Sequence, residues 1–172
     1  MNSLLRTAAR LSFVAGLGLA ALGVQAFELR GFRGVSWGEG AEALGEAHAV
    51  HKQGEVTCYQ RDRENLVFGD SALQGVQYCF HQDRLFMVVL DAAVSQKALI
   101  AEFQRTYGAP TSRMGQSVAW GGPASGTQAE LAPRAANTAR LAIYSNKIEP
   151  AVARRMQKPN PAEVTRELAA AY

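Results

Sequence analysis

Cysteine is scarce in this chain. Only Cys58 and Cys79 occur in 172 residues, and they are too far apart for a Cys-x-x-Cys pair. That excludes a thioredoxin-type exchange motif, and a zinc site would need its other ligands brought in from afar. A phosphate loop with its Lys and a dinucleotide fingerprint are also missing. Long apolar runs are lacking beyond residue 26. The longest is Leu85 to Leu90, which has the length of a strand and is too short to cross a bilayer. Excess charge is lacking as well. The whole chain holds 18 basic and 15 acidic residues, but residues 1–26 contain Arg6 and Arg10 and no acid, so 16 and 15 remain, a balance of +1. A nucleic-acid partner is therefore not expected. Arg154, Arg155 and Lys158 are the only basic cluster, and with Glu149 and Glu163 nearby they read as a solvated surface.

What is present begins with an export signal. Arg6 and Arg10 make a positive n-region, Leu11 to Val24 is uncharged, and Val24-Gln25-Ala26 has the small-x-small form of a cleavage site. Residues 1–26 are expected to be a signal peptide cleaved after Ala26. Phe27 follows it where a lipoprotein would carry cysteine. The expected product is a soluble periplasmic protein of 146 residues that does not span the membrane, a usual size for one domain. In an oxidising compartment the two cysteines are expected to form one disulfide, Cys58–Cys79.

Periodicity gives an outline of the elements. Leu29 to Val35 reads as a strand and Ala41 to Ala47 as a short helix. Strands follow at Val56 to Gln60, Leu66 to Gly69 and Val76 to His81, where alternation places Val76, Tyr78 and Phe80 on one face. Cys79 then shares the other, less buried face with Gln77 and His81. His81-Gln82-Asp83-Arg84 reads as a tight turn. Leu85 to Leu90 is apolar on both faces and belongs mid-sheet, covered on both sides. Ser95 to Tyr107 is the clearest helix: Leu99, Ile100, Phe103 and Tyr107 form its stripe, Ser95 caps its start, and Gly108 and Pro110 end it. Strands are expected at Ser117 to Trp120, Gln128 to Leu131 and Ala139 to Ser145. Two short helices close the chain, one starting near Pro150 and one at Asn160-Pro161.

Set side by side, residues 29–81 and 85–145 both read β-α-β-β-β. The expected fold is α+β: a duplicated domain over residues 27–146, with an antiparallel sheet, helices on one face, and a helical tail over 147–172. The sheet's other face is expected to be open and partly polar, and a partner is placed there.

Motifs with chemical content are few. Gly69-Asp70-Ser71-Ala72-Leu73 resembles the first block of the GDSL esterases, in which the serine is the nucleophile. That family needs a later Asp-x-x-His, whereas here Asp83 follows His81, so the blander reading of Ser71 is a turn between strands. His48 and His51, near Glu46 and Glu55 at a helix end or loop, lack a third metal ligand. No catalytic residue, cofactor or metal is assigned. Trp37-Gly38 and Trp120-Gly121-Gly122 either line a ligand pocket or close the edges of the core. Trp37, Gln77, His81 and Trp120 make up the candidate binding surface.

Phe32-Arg33-Gly34-Val35-Ser36-Trp37-Gly38, with Tyr107-Gly108-Ala109-Pro110 and Val118-Ala119-Trp120, resembles a pattern in small exported bacterial proteins of unknown function. That resemblance implies no catalytic residues. The doubled helix-plus-sheet plan is similar to that of β-lactamase-inhibitor-like envelope proteins, which bind other proteins. The leading expectation is a non-enzymatic protein that binds an envelope protein through its sheet face. A small-ligand pocket near Trp37 or Trp120 comes second, and a hydrolase using Ser71 third.

Overall fold

A computed structural model describes residues 27–134 and 137–157. The expected signal peptide and the second tail helix lie outside these residues. Chain order begins with a small hairpin, β1 (Gly31–Phe32) and β2 (Val35–Ser36), then a 3-10 turn at Ala41–Leu44. Next come β3 (Ala47–Gln53), β4 (Val56–Arg61), β5 (Val67–Phe68), β6 (Ser71–His81) and β7 (Arg84–Ala92). Helix α1 (Gln96–Tyr107) leads to β8 (Ser112–Met114), β9 (Ser117–Gly121), β10 (Thr127–Pro133) and β11 (Ala139–Ser145), and α2 (Pro150–Gln157) follows.

The main sheet is antiparallel throughout and runs β3-β4-β6-β7-β11-β10-β9-β8, with β5 attached to β6. The apolar run at Leu85 to Leu90 does occupy the middle, as β7 between β6 and β11, and is buried from Leu85 to Leu90. Gln82 and Asp83 both take positive φ in the two-residue turn that pairs His81 with Arg84, a geometry matched to the twist of a hairpin. In α1 the Ser95 hydroxyl accepts from the Ala98 amide at 3.3 Å, and Gly108 leaves the helix at φ 85°. Both ends therefore terminate where the capping residues direct.

The larger core lies between one face of the sheet and α1. Phe103 is fully buried there, with its ring centroid 4.6 Å from that of Trp120 and 4.5 Å from that of Tyr107. Val76, Tyr78 and Phe80 share this face, as their alternation requires. The β1–β2 hairpin is fastened by Arg33. Its guanidinium meets the Glu64 carboxylate at 2.5 Å and donates to the Asn65 and Val67 carbonyls. Tyr78 donates to the other Glu64 oxygen at 2.9 Å. Burial, seconded by the Glu64 charge, pushes the Tyr78 phenol well above its usual range.

Several expectations need correction. The helices do not share a face: α2 packs on the side opposite α1, over Cys58, Cys79, Met87 and Tyr144. The disulfide therefore sits in a second core and not on the less buried side. The expected first helix is only one 3-10 turn, and residues 48–53 are edge strand. The strand at Leu29 to Val35 is instead the β1–β2 hairpin, hydrogen-bonded outside the main sheet. The opening strand of the second half, β7, is central, so the two halves are not equivalent in position and the structure does not show a duplication. The coarser reading stands: a mostly antiparallel sheet with two short helices, α+β in the broad sense.

Candidate functional site

The face covered by α2 changes character along its strands. Its register is readable row by row. Cys58, Cys79, Met87 and Tyr144 line up across β4, β6, β7 and β11, and all are buried under α2. One row on, Gln77, Val89 and Ala142 line up. At the far end the row is Gly75, Asp91 and Arg140. This end lies beyond the apolar cluster that packs on α2. It forms a depression of about 360 Å³ walled in part by Gln60, Gln74 and Gln77.

Two local features make the depression. Between Leu73 and Gly75 the register of β6 slips against β7, so Gln74 is an extra, unpaired residue. Such a bulge bends the strand and re-aims a side chain. Gly75, itself buried, leaves room for a neighbouring side chain. A Cβ there would stand 2.6 Å from the Gln60 amide nitrogen, so the missing side chain is what lets Gln60 lie across β6. On the floor, Arg140 makes a forked pair with Asp91, Nε to Oδ1 at 2.6 Å and Nη2 to Oδ2 at 3.0 Å. Gln77 donates its amide to Asp91 Oδ2 at 3.3 Å.

A second depression, of about 340 Å³, lies where the β3–β4 turn meets α2, lined by Gly54, His81, Val152 and Met156 among others. His81 is mostly enclosed there, not on the surface: its side chain is 14% exposed. Nε2 stands 3.2 Å from Glu55 Oε2, and Nδ1 stands 3.6 Å from Glu149 Oε1 with no hydrogen-bond partner among the described residues. Glu149 also pairs with Arg84 at 2.9 Å, and its carbonyl accepts from the Val152 and Ala153 amides at the start of α2. These contacts tie the helix to the β6–β7 turn.

The sequence candidates separate accordingly. Gln77 and His81 share β6 and a face, on opposite sides of the boundary between open and covered. Trp37 packs against the α1-side core, and its Nε1 donates to the Leu29 carbonyl at 2.7 Å. Trp120 is fully buried in that core and donates to the Gly108 carbonyl at 2.8 Å. With no exposed surface, Trp120 cannot itself touch a partner.

Ser71 is not in a turn; it opens β6 and is 3% exposed. His81 ends the same strand, and at about 3.3 Å per residue the two stand roughly 30 Å apart, too far for a nucleophile and its base. His48 lies on β3, with Nδ1 2.7 Å from Asp62 Oδ1. Among the described residues, no group of three or more His, Cys, Asp or Glu side chains is placed to hold a metal, and no helix is long and apolar enough to cross a membrane.

The Gln74 bulge, Gly75 and the Asp91–Arg140 pair were missed by sequence reasoning. Gln74-Gly75 reads there as the lead-in to a strand, and nothing local pairs residue 91 with residue 140. No protein-family model matches the chain, no curated protein matches it, and no solved structure matches it. The resemblances in the sequence rest on their quoted motifs.

Proposed function

We propose that this is an exported, non-enzymatic protein of the periplasm that docks another envelope protein on the open end of its second sheet face. The observation that carries the reading is the depression over Gly75. It is bordered by three glutamines and floored by a forked Asp91–Arg140 pair, in the middle of the sheet and outside the reach of α2. An unused sheet face needs only scattered polar side chains. Here a bulge and a glycine open a depression, and its polar groups are already held in place, which lowers the ordering cost of binding. The buried Cys58–Cys79 bridge fits an oxidising compartment.

Photo-crosslinking in cells that export the protein tests this. A crosslinking side chain at position 77 is expected to capture a specific envelope protein that the same group at exposed position 113 on β8 does not. No adduct from position 77, or the same set from both positions, would overturn the reading.

A further inference from the structure

The open depression contains a half-used arginine. A guanidinium carries five N–H donors in a plane, enough for two forked acceptors on different edges. Asp91 occupies one edge of Arg140, through Nε and Nη2. Among the described residues nothing accepts from Nη1. Arg140 lines the depression, and its side chain is 38% exposed. Asp91 holds it in place, and Gln77 donates to Asp91 in turn.

We propose that the Nη1 edge of Arg140 is a subsite for one carboxylate, supplied by a Glu or Asp side chain of the docked polypeptide. The inference rests on the docking reading above and names the chemistry of the contact. Two features select it. Charged N–H donors prefer a carboxylate to a neutral acceptor, and the fork matches its two oxygens. The amides of Gln60, Gln74 and Gln77 bring further N–H donors to the rim without adding charge.

The test is an NMR titration of the ¹⁵N-labelled protein with a capped Gly-Glu-Gly peptide, its Gly-Gln-Gly counterpart, and acetate. The Glu peptide is expected to move the Arg140 Nε, Gln77 side-chain and Gly75 amide signals, with the Gln peptide about tenfold weaker. Arg140→Gln should abolish the response, and Arg140→Lys should weaken it by loss of the fork. Equal responses to the Glu and Gln peptides, or an undiminished response in Arg140→Gln, would overturn the proposal. Acetate binding as tightly as the Glu peptide would overturn the polypeptide source. If position 77 crosslinks a partner but the Glu peptide does not bind, the subsite fails and the docking face stands. If the Glu peptide binds and position 77 captures nothing, the docking face fails and a free-carboxylate site replaces it.

Discussion

The two ends of the second sheet face are built on the same four strands, yet they do opposite things. At one end the row Cys58, Cys79, Met87, Tyr144 is apolar, crosslinked and covered by α2. At the other the row Gly75, Asp91, Arg140 lines a polar, open depression, with Gln60 lying across Gly75. The chain spends its second helix and its disulfide on the first end. An eight-residue helix has little stability of its own and is held by the surface it covers. The difference shows that exposure of the polar end is a property of the sequence on that face and not of a sheet left half-finished.

Five substitutions or treatments sharpen or break this contrast. The largest effect is expected on the opposite face, in the core that both ends share. Phe103→Ala removes a ring packed on Phe27, Phe68, Tyr107 and Trp120 and should cost about 3–5 kcal/mol by urea denaturation. A cost near 1 kcal/mol would mean that α1 does not organise the fold.

Next is the covered end. Replacing both Cys58 and Cys79 by Ala opens a loop of sequence separation 21 and should cost about 3 kcal/mol. No shift in the urea midpoint on reduction of the native protein would contradict a stabilising bridge.

Val152→Asp places a charge on the apolar underside of α2. It should cost about 1–2 kcal/mol and raise dye binding to exposed apolar surface, because the helix lifts away while the sheet persists. Unchanged dye binding would show that α2 does not cover that end.

Tyr78 gives a pH test. Its phenol is raised in the folded protein, so above the ordinary tyrosine value of about 10 the unfolded chain loses this proton first. The native state then binds more protons, and its stability falls as pH rises from there. In Tyr78→Phe the alkaline fall should be shallower, at the cost of about 1 kcal/mol at neutral pH for the lost bond to Glu64. An identical alkaline slope in the variant would remove Tyr78 from the account.

The smallest effect on stability is expected at the open end. In Gly75→Ala the new methyl meets only the far end of the Gln60 side chain, which can swing away, so the change should stay within about 0.5 kcal/mol. The same substitution is expected to reduce crosslinking from position 77 by pushing Gln60 into the depression. A large loss of stability would show that Gly75 serves the fold and not the site.

How much of this was legible depended on whether the signal was local. Ser95 and Gly108 mark the ends of α1 because capping is settled within a few residues. The run from Leu85 to Leu90 announced a strand covered on both faces. The phase of Val76, Tyr78 and Phe80 gave one face of β6, and two cysteines allow only one bridge. Alternation, however, tells which residues share a face and not what covers it, so Cys79 and His81 looked peripheral until α2 was placed over them. The edge strand β3 carries Ala-His-Ala-Val-His-Lys-Gln, with almost every side chain in solvent, and so has no burial period to detect. The candidate site was least legible of all. A bulge at Gln74 shifts the phase that a strand reading relies on, and the Asp91–Arg140 pair joins residues 49 apart in sequence.

A soluble paramagnetic relaxation agent reports the division of the second face into a covered and an open end. Strong broadening is expected for the Gln77 side-chain amide and Arg140 Nε signals, with the Met87 methyl and the signals of Cys79 and Tyr144 spared. Comparable broadening at both ends would contradict it, since α2 would then not cover the apolar row and the open end would have no special status.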